Sequence, residues 1–183
     1  TLDEIREYIR NNNKIVAIGE IGLDYYWDEN PPKEVQKEVF RSQMKLAEEL
    51  ELPVVIHDRD AHQDTLEIIK EYPDVTGVVH CFSGSVEFAQ ECIKLGYYIG
   101  FTGVVTFKNA KKIVQVAKEI PIDRILVETD CPYMSPEPNR GKRNRSDYIE
   151  YIINKISEIK EIEPAEANKV FNENFKRLIY KEK

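Results

Sequence analysis

The sequence has no long apolar run, no cysteine pair at metal-binding spacing, no glycine-rich nucleotide loop and no excess of positive charge. Each absence removes a class of function. The longest apolar stretches, such as Lys14 to Gly19 and Pro53 to Ile56, fall far short of the roughly 20 residues that a membrane span needs, so a soluble protein with no membrane partner is expected. Cys81, Cys92 and Cys131 are an odd number at irregular spacing and contain no C-x-x-C pair. That argues against a disulfide framework and against a structural zinc site, and predicts reduced thiols in a cytoplasmic protein. No G-x-G-x-x-G or G-x-x-x-x-G-K-[ST] loop follows an apolar run, which removes the usual reason for a nucleotide-binding open sheet. The formal charge of −7 would repel a polyanion unless something local reverses the field. Bound metal ions would do so, as would the segment Arg140-Gly141-Lys142-Arg143-Asn144-Arg145, with four cations in six residues.

What is present is a strict alternation of strand-like and helix-like segments within a length suited to one domain, 1–183. Five short β-branched runs read as buried strands: Lys14 to Gly19, Pro53 to His57, Val75 to His80, Tyr97 to Phe101 and Arg124 to Glu128. None alternates cleanly with polar residues, as expected of parallel strands covered on both faces. Between them the spacing predicts helices over Pro32 to Leu50, Asp60 to Glu71, Ser85 to Leu95 and Asn109 to Glu119, with two more at Ser146 to Lys160 and Pro164 to Lys176. Cys131 to Asn144 is the longest predicted loop, and long loops in small domains tend to be functional. Thr1-Leu2-Asp3-Glu4 is a capping box, so a helix is expected from the first residue and native residues are expected ahead of it.

Alternating units make an α/β fold, either an open sheet or a barrel. Four potential ligands, Glu20, His57, His80 and Asp130, each end a different strand, which suits a ring of strand ends, so a TIM-type (β/α)8 barrel is preferred. Such a barrel takes about 250 residues, and only about the last five βα units are expected here. Glu128 and Asp130 share a face of their strand, with Asp130 nearer the mouth and Glu128 behind it as a supporting or core residue. Two imidazoles and two carboxylates suit divalent ions such as zinc or manganese. A lone strand-end histidine is more often structural than ligating, but two at equivalent ends weigh the other way. His62 reads as a solvated or capping residue, and Cys81 and Cys131 read as packed thiols, with Cys81 on the face opposite His80.

Five segments together resemble the TatD-type deoxyribonucleases of the metal-dependent hydrolase superfamily: Gly19-Glu20-Ile21-Gly22-Leu23-Asp24-Tyr25, Ile56-His57-Asp58-Arg59-Asp60-Ala61, His80-Cys81-Phe82-Ser83-Gly84, Glu128-Thr129-Asp130-Cys131-Pro132-Tyr133 and Arg140-Gly141-Lys142. They span nearly the whole chain in family order. The resemblance implies a (β/α)8 barrel with two divalent ions (Mg, Mn or Zn) that hydrolyses phosphodiester bonds of DNA, as an exonuclease on single strands. It makes Glu20 the carboxylate bridging both ions, His57 and His80 ligands of the second, and Asp130 a ligand of the first that also activates the water. Asp24, Ser83 and Glu128 are expected to support the ligands, and Arg140, Lys142 and Arg143 to contact substrate. Two departures stand out. The family's His-x-His pair has no counterpart, because the only histidines are His57, His62 and His80, so a single ion, or an inactive chain, is implied. After Arg140-Gly141-Lys142 the family's acidic residue and proline are replaced by Arg145-Ser146. Two other readings stay open: the same scaffold acting on another ester or amide, and a non-enzymatic fragment that self-associates through open sheet edges.

Overall fold

Each β-branched run finds a parallel partner, and the helix after it returns the chain to start the next strand on the same side. The computed structural model describes residues 1–180, so the last three residues of the expected 1–183 domain lie outside the described residues. The helix α1 (Leu2–Asn11) begins at Thr1, whose side chain accepts from the Glu4 amide in the predicted capping box. Then follow β1 (Ile18–Asp24), α2 (Lys33–Glu49), β2 (Val54–Arg59), α3 (His62–Lys70), β3 (Gly77–Val79), α4 (Val86–Lys94) and β4 (Tyr98–Phe101). The chain continues through α5 (Lys111–Glu119), β5 (Ile125–Val127), α6 (Ile149–Lys160) and α7 (Pro164–Tyr180). The final helix runs four residues past the predicted end, because Leu178 is buried beneath it.

The five strands form one parallel sheet in the order β1-β2-β3-β4-β5. An open doubly wound sheet reverses its strand order at a switch point. Here there is no reversal, so the strands follow one another as in the wall of a TIM-type barrel. One register row fixes the sheet: Ile56 lies beside Val79, Val79 beside Ile99, and Ile99 beside Ile125, all buried toward the helices. Those helices present Phe40, Met44 and Ala47 of α2, Ile68 and Ile69 of α3 and Ala89 and Cys92 of α4 to the same core. On the other face Val78, Tyr98 and Leu126 form a smaller cluster with Val55, covered by Leu178 and Ile179 of α7. Buried Asn174 ties α7 down by donating to the carbonyls of Ile122 (2.9 Å) and Ile125 (2.7 Å).

The first strand departs from the sequence reading. It runs Ile18–Asp24 rather than Lys14 to Gly19, so Glu20 is its third residue instead of a terminal one. Two local features explain this. Pairing starts only where β2 begins, with the Ile18 amide donating to the Pro53 carbonyl at 2.9 Å. It then continues past Glu20, because Gly22 lets the two backbones close up. A Cβ on Gly22 would lie 2.0 Å from the His57 carbonyl oxygen, and its φ of +134° disfavours any side chain. Between Ile18 and Ile21 the register slips, three steps on β1 matching two on β2, which leaves Gly19 and Glu20 exposed. Likewise β2 extends to Arg59, so His57 lies inside a strand rather than at its end.

Replacing Gly22 by alanine should therefore lower stability by at least about 2 kcal/mol through backbone strain and move His57. Urea denaturation reads the loss, and a variant as stable as the parent would contradict this account of the β1–β2 contact.

Candidate active site

Beyond the carboxyl ends of the strands lies a cleft of about 500 Å³, lined by Glu20, His57, His80 and Asp130. A second cleft of about 450 Å³, along the sheet face beneath α6 and α7, has an apolar lining in which Glu128 is the one ionisable residue. The chemistry therefore belongs to the first. The row of the sheet that buries Ile56 and Val79 places the next residues, His57 and His80, on the opposite face, because side chains alternate along a strand.

Each histidine is held from behind by a carboxylate. Asp24, at the end of β1, lies 3.2 Å from His57 Nε2, which leaves Nδ1 facing Glu20 Oε2 at 3.8 Å. Glu128 Oε2 lies 2.9 Å from His80 Nδ1, which leaves Nε2 facing Glu20 Oε1 at 3.8 Å and Asp130 Oδ1 at 3.6 Å. Carboxylate partners of this kind orient imidazoles and raise their basicity. The other oxygen of Glu128 accepts the Cys81 amide at 2.7 Å. Room for that carboxylate comes from Gly100, where a Cβ would meet Glu128 Oε1 at 2.3 Å. Asp24 is itself clamped by Gln36 of α2, which accepts its amide (2.9 Å) and donates to its carbonyl (3.0 Å).

His80 carries the main electrostatic consequence. Burial alone would depress its pKa, but the hydrogen bond and charge of Glu128, with Glu20 and Asp130 nearby, outweigh burial and lift it to about 9. Burial pushes the Cys81 thiol up to about 11, against a weak pull from Thr102, whose Oγ1 lies 3.3 Å from the sulfur.

The donor set suits a divalent ion: two imidazole nitrogens face a carboxylate that has one oxygen turned to each. The separations of 3.6 to 3.8 Å exceed hydrogen bonds and approach the spacing of neighbouring ligands that each lie roughly 2 Å from one metal. Among the described residues no group of three or more His, Cys, Asp and Glu is gathered closely enough to hold an ion as it stands. Glu20, with its side chain 52% exposed, is the member free to move inward. The set thus fits an ion in its chemistry, with an open geometry.

Several other expectations change. Arg140, Lys142 and Arg143 do not line the cleft. Arg140 instead stacks over the Phe107 ring at 4.2 Å, because the loop packs on the segment after β4, with the Glu137 amide donating to Thr106 Oγ1 at 2.8 Å. The cations that do line the cleft are Arg59 and Lys112. Of these, Arg59 had a sequence signal, since it stands two residues after His57 on the same strand. Ser83 lines the cleft, and its carbonyl accepts from Lys112 Nζ at 2.8 Å. Cys81 lines the cleft too instead of facing away, because its φ of +44° turns the chain off the strand and ends the alternation. Cys131 is exposed rather than packed, as it sits past the end of β5. His62, a third exposed, is partly solvated as expected, but its Nδ1 lies 2.6 Å from buried Asp58 and its ring stacks on Phe88 at 4.9 Å. That pairing, like the Gln36 clamp, had no signal in residue spacing.

A sequence profile described as TatD related DNase matches residues 1–180. The uncharacterized metal-dependent hydrolase YabD of Bacillus subtilis is 53% identical over 169 residues, covering 91% of this chain and 66% of its own length. The uncharacterized metal-dependent hydrolase YcfH of Escherichia coli K12 is 41% identical, covering 91% of this chain and 63% of its own. The chain thus spans just under two thirds of these relatives. Among solved structures, YJJV, a TatD homologue from Escherichia coli K12, superposes with a TM-score of 0.91 at 31% identity over 98% of this chain and 70% of that one. A TatD family hydrolase from Entamoeba histolytica gives 0.85 at 31% identity, over 98% and 68%.

In metal-free protein the raised His80 pKa predicts a pH-dependent stability. The charged imidazolium contributes fully below pH 6.5, and the contribution fades as pH rises through about 9; its upper bound is about 3 kcal/mol. Urea unfolding in EDTA at pH 6 and pH 9.5 should show this loss, and it should shrink in Gly100→Ala, which displaces Glu128. An identical pH response in the two proteins would refute the Glu128–His80 linkage.

Proposed function

The chain belongs to the TatD-related DNase family, and from that membership and the cleft chemistry we propose that the protein is a divalent-metal-dependent hydrolase cleaving phosphodiester bonds of DNA. We assign it exonuclease action on single strands in the cytoplasm, performed by the whole protein with its sheet closed into a (β/α)8 barrel. The observation that carries this reading is Glu20, whose two carboxylate oxygens face two different imidazoles at 3.8 Å each, which sets a half-exposed carboxylate opposite the two ring nitrogens that would hold one ion. The relatives' descriptions as metal-dependent hydrolases support the metal requirement.

The residues that would hold the ions are Glu20, His57, His80 and Asp130. A bound ion, Mg, Mn or Zn, supplies Lewis-acid stabilisation of phosphoryl oxygens and lowers the pKa of water toward neutrality. The chain's own residues do the rest. Asp24 and Glu128 fix which ring nitrogen each histidine presents to the cleft. Because His80 holds its proton up to about pH 9 in the metal-free state, metal binding must displace that proton, and Glu128 remains to balance the charge. Asp130, a third exposed beside His80 Nε2, is placed to orient the attacking water and accept its proton. Arg59 and Lys112 offset the negative charge of a phosphate in an otherwise acidic chain.

Glu20→Gln and Asp130→Asn should each lower manganese-dependent release of nucleotides from a single-stranded oligonucleotide by at least about 100-fold, with the circular dichroism spectrum unchanged. EDTA should abolish the activity and manganese should restore it. Full cleavage by either variant, or faster hydrolysis of carboxylic esters than of the oligonucleotide, would overturn the assignment.

A further inference from the structure

Tyr26, Trp27 and Arg59 form a cluster at the mouth of the cleft that the hydrolytic residues do not account for. Tyr26 and Trp27 are large apolar side chains left about half exposed, at 52% and 48%. Their rings meet edge to face, with centroids 4.8 Å apart and planes at 90°. The Arg59 guanidinium lies over the Tyr26 ring at 3.9 Å and near Trp27 at 5.4 Å. Among the described residues no carboxylate lies within ion-pair distance of Arg59, so its charge is braced by aromatic rings alone and is open to a ligand. Tyr26 and Arg59 both line the cleft that contains Glu20 and His57.

The cluster is also tied to the site through one side chain. Asp24 Oδ1 accepts the Tyr26 amide at 2.9 Å, while Oδ2 of the same carboxylate holds His57 Nε2. A molecule resting on Tyr26 is therefore registered against His57 through a single rigid group. Two exposed rings with a planar cation stacked on them offer flat π surfaces and a positive charge, which every base and every phosphate can use alike. Lys112, whose Nζ donates to the Ser83 carbonyl at 2.8 Å, supplies a second cation to the cleft lining.

We infer that Tyr26 and Trp27, braced by Arg59, are a sequence-tolerant stacking wall for a nucleobase of a single strand whose phosphate enters the cleft. The inference rests on the phosphodiesterase reading and deepens it: the wall selects unstacked single strands, because within a duplex the faces of a base are covered by its stacked neighbours. Base–aromatic stacking of this kind tolerates every base and depends on the ring faces.

Trp27 is the single tryptophan of the chain, so its fluorescence reports on the wall without any need for catalysis. In EDTA, a short oligothymidylate should quench Trp27 emission and bind at least 5-fold more tightly than an abasic strand of the same length. Tyr26→Leu, which keeps the bulk and removes the π face, should weaken oligothymidylate binding about 10-fold, and Tyr26→Phe should restore it. With manganese, the KM advantage of oligothymidylate over the abasic strand should collapse in Tyr26→Leu. Equal quenching and affinity for the two strands, or undiminished binding by Tyr26→Leu, would overturn the wall. Base-dependent quenching without cleavage of any strand would sustain the wall and sink the hydrolytic reading, whereas cleavage with a base-independent KM would sink the wall alone.

Discussion

The register of the parallel sheet is the constraint on which everything else rests. Ile56, Val79, Ile99 and Ile125 occupy one row and bury against the helices. A slip by one residue in any of these strands would turn an isoleucine or valine out of the core, and in β2 or β3 would turn a histidine into it, so register is strongly specified. The same row sets the site. One step further along, on the opposite face, stand His57 and His80, with Glu128 beyond β5. Hydrophobic burial on one face thereby delivers the polar groups on the other, with no polar interaction needed to find them.

Polar contacts then refine what burial has delivered. Glu128 is useful because it serves two donors at once, the His80 ring and the Cys81 amide, and because Gly100 leaves space for it. Asp24 plays the matching part for His57 while its own backbone is held by Gln36. Both carboxylates lie behind the imidazoles, so each ring turns its second nitrogen toward Glu20. The result is a site whose histidines are oriented in advance and whose exposed carboxylate, Glu20, is the adaptable member. The non-hydrolytic groups at the mouth share this economy, since Asp24 also anchors Tyr26.

The charge distribution follows the same logic. A chain with formal charge −7 must concentrate its cations where an anion is to approach. Composition alone pointed to the basic loop from Arg140 to Arg145, but density of charge along the chain is a poor guide to density in space. Met134, earlier in that loop, lines the cleft, but Arg140 settles on Phe107. Arg59 and Lys112, far apart in the sequence, both line the cleft because strand β2 ends and helix α5 begins there.

The sequence by itself determined the alternating α/β order, the positions of the helices to within a few residues, the capped start of α1 and the four residues around which the cleft is built. These are local properties: period, β-branching, capping and a polar residue after an apolar run all act within one element. The tertiary structure alone decided where β1 begins, since a strand is defined by its partner, and that Glu20 stands in a register slip instead of at a strand end. It also decided that His62 pairs with Asp58, that Gln36 clamps Asp24, and that Tyr26, Arg59 and Lys112 border the cleft while Arg140 does not. The Asp58–His62 pair spans four residues but joins the end of β2 to the start of α3, and the others join separate elements, which no periodicity within a single segment encodes.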